Sequence, residues 1–529
     1  MEQILINGQS ASAEKGTLLS DILQEAGGFK MPCGGQGHCG KCKVYATGVL
    51  SAPDSVELKF LTKEELDGGI RLACRAIIEG PVETSFETQK NAQILLGGQQ
   101  PDMTEKAADG GECKPLFEKL GVAIDVGTTT LAAQMYDETG LLAQAGADNP
   151  QAVFGADVIS RIEKSLAGEG KALAHAIRQG ISGLLDELCK KSGKNAEQID
   201  TLVITGNTAM LYLLTERDPD CLSKAPFVAD WLAGEWTAGA ALDLPCKEAR
   251  VWLPHCMSAF VGADITTALL ANDIRHGESL RMLVDIGTNG EITLWKNGEL
   301  FCCSTAAGPA FEGAGLSMGM QGEEGAISHV ALAAETDSAA VGGCGSAAAG
   351  PKLVQDETSG FFVQIIGGGT PRGICGSGVI DAVRCLLESE VMDETGFLED
   401  EEAVIAGDVL LNQEDIRKVQ LAKSAICAGM EAMLNKAELK MEELDELLIA
   451  GGFGSFLNLD SARVIGLLPR SKPAKTTVCG NAALKGAAEL LLNTDSIEES
   501  RQIASCAQAV NLATDPFFID QYMEGMLFE

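Results

Sequence analysis

The sequence predicts a multidomain α/β protein, and three observations support this prediction. The chain has 529 residues, which at roughly 100–200 residues per domain corresponds to three or four domains or subdomains. A glycine-rich group of cysteines lies near the N-terminus, between segments that read as short strands and a helix. A strand–turn–strand motif then occurs twice, about 160 residues apart, and such an internal repeat indicates a duplicated fold.

Composition and charge narrow the classes of function. Lys and Arg total 40 and Asp and Glu total 75, which gives a formal net charge of −35. Such an acidic surface repels phosphate backbones and anionic lipids, so we expect neither nucleic acid nor membrane binding. No apolar run reaches the ~18 residues that span a bilayer, and MEQILINGQS lacks the basic and apolar regions of a signal peptide. We therefore expect a cytoplasmic protein.

Four of the 17 cysteines are spaced as the ligands of a metal centre would be. Cys33, Cys39 and Cys42 stand in the spacing C-x5-C-x2-C, and Cys74 follows further along the chain. Four thiolates are the number that a [2Fe–2S] or [4Fe–4S] cluster requires, and the spacing resembles that of [2Fe–2S] ferredoxins. Structural zinc is the alternative, although zinc sites made of four cysteines usually use two short cysteine pairs.

The segments around these cysteines agree with a small ferredoxin. QILINGQSASAE predicts an opening strand, a short helix begins near Leu18, KVYATG predicts the next strand, and Cys74 falls on a later strand-like run. We assign residues 1–90 to this domain. The loop glycines let backbone N–H groups turn toward the sulfur atoms; they are Gly34, Gly35, Gly37 and Gly40.

The composition changes after Phe86. The stretch NAQILLGGQQPDMTEKAADGGECKP has no aromatic residue and is rich in Gly, Gln, Ala, Asp and Glu. This composition is typical of a flexible linker, which we assign to residues 91–119. Such a linker would let the N-terminal domain move relative to the rest of the chain.

The repeated motif predicts two β-hairpins that bind phosphate and magnesium. In IDVGTTT the strand ends near Asp125 and the turn begins at Gly127, and in VDIGTNG the equivalent residues are Asp285 and Gly287. The glycines let the backbone approach phosphate oxygens, and the aspartates would hold Mg²⁺ through water molecules. Further donors at the two tips are Thr128, Thr129, Thr288 and Asn289.

A third element supports a nucleotide site. In LLIAGGFGSFLN an apolar strand breaks at Gly451 and Gly452, where an adenine ring can lie against bare backbone with Phe453 or Phe456 nearby. Two hairpins followed by this strand end resemble the acetate and sugar kinase/Hsp70/actin (ASKHA) superfamily, which holds ATP between two duplicated lobes. We assign residues 120–275 to the first lobe and 276–529 to the second.

Two further segments fit the same arrangement, and a competing phosphate motif is missing. TLVITGNTAM, which contains Asn207 as a further cofactor-binding candidate, and GICGSGVIDAV each read as a strand or turn that leads into a helix. CGNAALKGAAELLL reads as a late helix that packs back across the lobes. The sequence has no G-x4-G-K-S/T motif, so a P-loop is excluded.

Together the two halves resemble one family, the ATP-dependent reductive activators of corrinoid proteins. The stretches that carry the resemblance are CGGQGHCGKC, IDVGTTT, TGNTAM, CMSAFVGADITTALL, DIGTNGEI, AGPAFEGAG, GICGSGVIDAV and AGGFGSFLNLDSARVIGLLP. The resemblance implies a β-grasp [2Fe–2S] ferredoxin-like domain followed by a duplicated actin-like ATPase. It also implies that the chain transfers one electron to a corrinoid protein of a methyltransferase system and returns Co(II) to Co(I), with ATP, Mg²⁺ and an external low-potential electron donor.

The corrinoid is expected on the partner. A base-off corrinoid domain typically uses D-x-H-x-x-G, and none of the five histidines has Asp two residues before it. Whether the chain acts as a homodimer stays open. Two other functions also stay open: an ATP-gated electron donor to another low-potential enzyme, and a non-redox ATPase or kinase with a zinc-bound four-cysteine module.

Several single residues have less specific patterns. Glu291 and Glu312 are candidates for orienting the hydrolytic water or facing the corrinoid, with a solvated or helix-capping carboxylate as the alternative for each. Asp264 is either a carboxylate at a helix N-terminus that faces the cleft or a simple cap. The pair Cys302–Cys303 is expected to alternate between the two faces of a strand rather than to be redox active.

Overall fold

The computed structural model describes residues 1–529 except 27, 28, 30, 32–34, 36, 38, 39, 87–113, 276–278, 314, 337–352, 453–456 and 529. The chain divides into two compact units. The first comprises Met1–Asn91 and Pro150–Glu169, and the second comprises Ala92–Asn149 and Gly170–Glu529. The sequence did not predict that residues 150–169 would group with the N-terminal unit. The boundaries predicted at 90, 119 and 275 stay predictions.

The first unit is built on one mixed sheet of five strands. Its strands are β1 (Glu2–Ile6), β2 (Gln9–Ala13), β3 (Lys43–Leu50), β4 (Ile70–Leu72) and β5 (Ile78–Ser85). They lie in the order β2-β1-β5-β3-β4, in which only β1 and β5 pair in parallel. This is the predicted β-grasp arrangement. The helices of this unit are α1 (Leu19–Ala26), α2 (Glu57–Phe60), α3 (Lys63–Asp67) and α4 (Val158–Lys164).

Two local predictions in this unit were wrong. The opening segment forms two antiparallel strands rather than one, because Asn7 and Gly8, both with positive φ, form the tight turn between β1 and β2. Cys74 lies in a turn after β4 and not on a strand. The turn can carry a thiolate to the cysteine loop more readily than a strand, whose side chains alternate between its two faces.

The second unit contains two six-stranded sheets with the same internal plan. The strands of the first are β6 (Leu120–Val126), β7 (Thr130–Asp137), β8 (Gly140–Asp148), β9 (Ile199–Gly206), β10 (Glu235–Ala238) and β11 (Arg250–Leu253). The strands of the second are β12 (Arg281–Ile286), β13 (Gly290–Lys296), β14 (Glu299–Thr305), β21 (Glu446–Ala450), β22 (Lys475–Gly480) and β23 (Ala507–Ala509).

The strand orders confirm the duplication. The first sheet runs β10-β11-β9-β6-β7-β8, and the second runs β22-β21-β12-β13-β14-β23. In each sheet an antiparallel meander of three strands, β6-β7-β8 or β12-β13-β14, is extended by two parallel strands. Each predicted hairpin is therefore the first part of a longer meander.

The remaining elements complete the two lobes. Smaller sheets are formed by β15 (Ala326–Ala331), β16 (Val354–Gln355), β17 (Phe362–Ile365) and β18 (Gly373–Ile374), and by β19 (Glu402–Ala406) and β20 (Val409–Asn412). The helices are α5 (Gly170–Ser192), α6 (Thr208–Leu214), α7 (Asp220–Ser223), α8 (Ala263–Leu270), α9 (Ala333–Thr336), α10 (Gly376–Glu388), α11 (Gln413–Lys436), α12 (Leu459–Val464), α13 (Ala482–Leu492), α14 (Ser496–Cys506) and α15 (Pro516–Glu524).

One helix joins the two lobes of the second unit. α13 follows β22 of the second sheet but packs against α8, β6 and β9 of the first lobe, as the sequence predicted. The core around it combines apolar residues from both lobes, such as Val203, Leu269, Leu283 and Leu490. Among the described residues, no helix is both long and apolar enough to cross a membrane.

The C-terminal end of the predicted linker is packed rather than free. Leu116 and Phe117 are buried in the same core, and the Leu116 backbone N–H donates to the carbonyl of Leu491 at 2.9 Å. This end of the predicted linker therefore packs against the second unit, because two large apolar side chains there gain from burial. The rest of the predicted linker, residues 91–113, lies outside the described residues.

Candidate functional site

The two predicted phosphate turns lie at the ends of equivalent strands in the two lobes. The first turn follows β6 and the second follows β12. In the first, the Asn207 side chain donates to the Thr128 hydroxyl at 3.0 Å and also accepts from the Met210 backbone N–H at 2.9 Å. Asn207 therefore caps α6 and fixes the first turn at the same time.

The N–H groups of the two turn glycines are used within the turns. Gly127 N donates to the carbonyl of Thr130 at 2.9 Å, and Gly287 N donates to the carbonyl of Asn289 at 3.0 Å. The first turn is also held by Asn149, whose backbone N–H donates to Thr129 O and whose side chain donates to Gly127 O, both at 2.8 Å. The glycines thus shape the turns, and other groups must supply donors to a ligand.

The two turns differ by one residue in length. Asp125 lies opposite Ala132 across the first hairpin, whereas Asp285 lies opposite Glu291 across the second. The gap-free alignment of IDVGTTT with VDIGTNG predicts equal turns, so this difference was not foreseen. Its consequence is a second carboxylate, Glu291, beside Asp285 in the second lobe only.

Glu312 connects the two turns. It ends the short helical turn Pro309–Glu312, which follows β14. One oxygen of its carboxylate, Oε2, accepts from the Thr129 hydroxyl at 3.0 Å and from the Thr288 hydroxyl at 2.5 Å. The hydroxyl donors of both lobes therefore converge on a single anionic atom. This is the arrangement of donors that a phosphate oxygen requires.

Three aspartates and one glutamate form an acidic cluster around the turns. They are enclosed by protein, although part of the surface of each aspartate stays accessible. The pKa of Asp125 is raised to about 6 and that of Asp285 to about 7, mainly by burial. Burial and then the charges of Asp125 and Asp285 raise the pKa of Asp264 to about 8. Burial and the charges of Asp264 and Asp285 raise the pKa of Glu291 well above its usual value.

These carboxylates interact with one another without forming a metal site on their own. Among the described residues, no group of three or more His, Cys, Asp or Glu side chains is arranged to hold a metal ion. Mg²⁺ commonly keeps several waters and takes its remaining ligands from one or two carboxylates and the phosphates of a substrate. The acidic cluster fits this mode, in which Asp125 and Asp285 act through water. That assignment stays a prediction.

Two glycines border the second turn. Gly451 has φ +112°, and a Cβ there would lie 2.4 Å from the carbonyl oxygen of Ile286 and 3.1 Å from Oδ1 of Asp285. A Cβ at Gly452 would meet no atom of the described residues within 4 Å, apart from its chain neighbours. The strand end is thus bare beside Asp285 and open at Gly452, which suits a flat ring. Phe453 and Phe456 lie outside the described residues.

Sequence reasoning missed Asn481. Its side chain donates to Oδ2 of Asp125 at 2.9 Å and accepts from the Leu484 backbone N–H at 2.8 Å, which makes it the N-cap of α13. Asn481 thus links the helix that joins the lobes to the aspartate of the first turn. An Asn immediately before an apolar helix is a recognisable cap signal, but its link to Asp125 depends on the tertiary fold.

Two of the four predicted cluster ligands are described, and they converge. Cys42 and Cys74 are both buried, with their sulfur atoms 3.2 Å apart, well beyond the ~2.05 Å of a disulfide. The loop glycines that are described, Gly35, Gly37 and Gly40, all have positive φ. Cys33 and Cys39 lie outside the described residues. The geometry of Cys42, Cys74 and the loop fits a cluster bound by thiolates.

A buried ion pair supports the Cys74 turn. Arg71 donates to both oxygens of Glu57, at 2.9 and 2.7 Å, and the Leu72 backbone N–H donates to the same carboxylate at 2.9 Å. The Ala73 N–H then donates to the carbonyl of Cys42 at 2.9 Å. Since a bidentate Arg–carboxylate pair fixes both partners in orientation, this network positions the two cysteine segments.

The vicinal cysteines behave as the sequence predicted. Cys302 and Cys303 are consecutive in β14 and both buried. Cys302 packs in the core shared by the two lobes and Cys303 in the core of the second lobe. Burial raises the pKa of Cys302 to about 12, which is the opposite of what a reactive thiolate requires.

Models of three protein families match the chain, and together they cover most of it. Residues 4–79 match the 2Fe-2S iron-sulfur cluster binding domain. Residues 120–277 match the RACo middle region, and residues 279–529 match the C-terminal domain of RACo, the ASKHA domain.

Individual relatives agree with these matches. The chain is 33% identical over 450 residues to the corrinoid activation enzyme RamQ of Eubacterium limosum. This match covers 78% of this chain and 71% of the relative. It is 23% identical over 423 residues to the Co(II) methylated amine-specific corrinoid protein reductase of Methanosarcina barkeri. This match covers 76% of each chain. A solved structure of a reductive activator for corrinoid, iron-sulfur protein has a TM-score of 0.69 and 26% identity, and the match covers 100% of this chain and 98% of the other.

Proposed function

Because the chain belongs to the RACo family of reductive activators, we propose that it uses ATP to drive the transfer of one electron to a partner corrinoid protein. The electron returns an inactive Co(II) centre of the partner to Co(I), and an external low-potential donor replaces it. One observation about the site carries the proposal beyond the family match: the hydroxyls of Thr129 and Thr288, from duplicated turns of two lobes, converge on one anionic atom.

The electron carrier is a [2Fe–2S] cluster held by Cys33, Cys39, Cys42 and Cys74. Supporting this, Cys42 and Cys74 are buried with their sulfur atoms 3.2 Å apart. A [2Fe–2S] cluster supplies one electron at a time, and the plant-type examples have reduction potentials of about −400 mV. A structural zinc site is less consistent with the match of residues 4–79 to a 2Fe-2S domain.

The nucleotide site lies at the two turns of the second unit. Thr129 and Thr288 donate to phosphate oxygens, Asp125 and Asp285 orient waters around Mg²⁺, and the bare backbone at Gly451 and Gly452 receives the adenine ring. Gly127 and Gly287 shape the two turns, and Asn207 holds Thr128 in the first of them. Asn289 and Phe453 are further proposed contacts. Glu291 is the candidate for orienting the hydrolytic water, because it lies directly opposite Asp285 in the hairpin.

ATP contributes by changing the state of the activator and not by supplying the electron. A nucleotide that interacts with turns in both lobes can favour one arrangement of those lobes over another. In this account the ATP-bound arrangement binds the partner in a form whose cobalt is easier to reduce. ATP hydrolysis then returns the activator to the other arrangement and releases the partner, so the transfer can be repeated. The requirement is a difference in partner affinity between the ATP and product states.

The test mixes a purified Co(II) corrinoid protein with a reductant, the holo-activator and Mg·ATP. The absorbance of Co(I) measures the reduction. We expect Co(I) to form only when all components are present. Asp285→Asn should abolish ATP hydrolysis and Co(I) formation but leave the absorbance of the cluster unchanged. Reduction at the same rate without ATP, or only of acceptors that contain no corrinoid, would contradict the proposal; the second result would favour an ATP-gated donor to another enzyme.

A further inference from the structure

At the proposed nucleotide site, one side chain accepts hydrogen bonds from the donors that a nucleotide phosphate would need. Oε2 of Glu312 accepts from the hydroxyls of Thr129 and Thr288, and a Cβ at Gly287 would lie 3.4 Å from the other carboxylate oxygen. The carboxylate therefore lies at the tip of the second turn and is also bonded to the tip of the first.

A carboxylate and a phosphate compete for such a place. Both are anions that accept hydrogen bonds from hydroxyl groups, and neither can donate when ionised. Two like charges in contact repel each other, and they do so more strongly inside a protein than in water. Phosphate oxygens therefore cannot take the donors of Thr129 and Thr288 while Glu312 keeps them.

The backbone around Glu312 is anchored, so the side chain is the part that can move. The neighbouring Phe311 is fully buried, and the N–H of Gly308 donates to the carbonyl of Thr288 at 2.8 Å. A Cβ at Gly313 would lie 2.0 Å from the carbonyl oxygen of Met320, which shows how closely that segment is packed. Rotation about the side-chain bonds of Glu312 is enough to free both hydroxyls.

We propose that Glu312 is an internal substitute for the nucleotide phosphate, which holds the turns of both lobes together until ATP displaces it. This inference rests on the proposed nucleotide site and deepens it. Glu312 is a positioning residue in this account, since it acts through Thr129 and Thr288. When ATP displaces Glu312, the hydrogen bonds that link the turns of the two lobes through its carboxylate are lost. When phosphate leaves, Glu312 accepts those hydrogen bonds again and the original arrangement returns.

The proposal makes a prediction opposite to that of a catalytic role. If Glu312 competes with phosphate, Glu312→Gln should tighten binding of Mg·AMP-PNP by about tenfold, because hydrogen bonds to charged groups contribute more than neutral ones. KM for ATP should fall with it. If Glu312 instead holds Mg²⁺ or activates water, the same variant should bind the nucleotide more weakly or lose kcat at unchanged affinity.

Calorimetric titration of Mg·AMP-PNP into the wild type, Glu312→Gln and the exposed control Glu299→Gln measures this directly. Glu299 lies at the start of β14 with its side chain exposed, so the control should match the wild type. Glu312→Asp, whose shorter side chain cannot reach both hydroxyls, should also tighten binding and serves if Glu312→Gln does not fold. In the Thr129→Val background, Glu312→Gln should change the affinity for Mg·AMP-PNP less, because Glu312 has already lost one of its two hydroxyl donors.

Hydrogen–deuterium exchange without nucleotide supplies a second readout. Peptides that contain residues 126–131 and 286–291 should exchange faster in Glu312→Gln than in the wild type, and Mg·AMP-PNP should restore protection in both. Unchanged affinity and unchanged exchange would overturn the inference while the proposed function stands. A wild type that binds no nucleotide would instead overturn the proposed function itself.

Discussion

Asp264 shows how the acidic cluster makes the nucleotide-free protein sensitive to pH. Its pKa is raised to about 8, first by burial and then by the charges of Asp125 and Asp285, whereas an unfolded Asp has a pKa near 3.9. The folded state therefore keeps a proton that the unfolded state releases. Stability from this group is lost as the pH rises from about 4 through about 8.

We expect Asp264→Asn to raise the melting temperature of the metal-free and nucleotide-free protein by a few degrees at pH 8. At pH 5 the gain should be small, because the wild-type carboxyl is then protonated and resembles the neutral amide. Thermal melts at the two pH values measure the difference. Asp408→Asn, an exposed control, should show no such dependence, and an equal gain at both pH values would contradict the assignment.

The cluster ligands lead to a second prediction at this scale. Cys74→Ala should abolish or severely destabilise the iron–sulfur chromophore, since three thiolates leave one iron open. Cys302→Ala should leave it intact, because Cys302 is buried in the core of the other unit. Iron and acid-labile sulfide per chain measure both. Equal iron content in Cys74→Ala and the wild type would exclude Cys74 as a ligand.

Some residues of the candidate site could be predicted from the sequence and others could not, for a physical reason. Asp125 and Asp285 carry a local signal, since each stands in a repeated strand–turn motif. Glu312 was only one of two candidate carboxylates, because its partner Thr129 is 183 residues away. Contacts at such separation depend on how the lobes fold together, and a short motif contains no information about that.

At the scale of elements, α13 and α8 make an unusually close contact between the lobes. A Cβ at Gly486 of α13 would lie 1.8 Å from the carbonyl oxygen of Thr267 in α8. Only glycine lets the two helix backbones approach this closely. The helix contains Asn481 as its N-cap, so any shift of α13 also moves the side chain that contacts Asp125.

Gly486→Ala should therefore destabilise the protein by about 2 kcal/mol or more, as overpacking of a core does. Gly183 in α5 is a matched control, because it is an exposed helical glycine. Outside its own helix backbone, no described atom lies within 4 Å of an added Cβ. Gly183→Ala should stabilise by about 0.5–1 kcal/mol. Urea midpoints for the two variants test the pair, and a stable Gly486→Ala would mean that the helices can separate without cost.

Element boundaries were predictable where the turn chemistry was read correctly. The β9–α6 and β18–α10 junctions were expected from TGNTAM and GICGSGV, in which a strand or turn meets a helix. The turn at Asn7–Gly8 was missed although Asn-Gly is a strong hairpin signal. The one-residue difference between the two phosphate turns could not be seen, because the aligned motifs have equal lengths and register depends on pairing with neighbouring strands.

At the scale of the whole molecule, the chain combines two sites that sit in different compact units. Cys42 and Cys74 belong to the first unit and the two predicted phosphate turns to the second. The sequence predicted that the two sites lie in separate domains, from a change in composition after Phe86. It did not predict that residues 150–169 would group with the first unit, since that segment has no compositional break.

The connection between the units gives the last prediction. Electron delivery requires the cluster to receive an electron from a donor and to pass it to the partner's cobalt, and we expect the linker to provide the reach for both. Residues 114–119 are fixed to the second unit through Leu116 and Phe117. A deletion must therefore lie upstream of them, and removing about a dozen residues from 91–110 leaves that attachment intact.

This deletion should slow Co(II) reduction while ATP hydrolysis and iron content stay at wild-type levels, because it restricts reach and not chemistry. A Gly/Ser replacement of equal length is the matched control, and it should restore the rate of Co(I) formation if length alone matters. All three quantities should be measured on one preparation of each variant. Unchanged Co(II) reduction after the deletion would mean that the cluster reaches its partner without movement of the N-terminal domain.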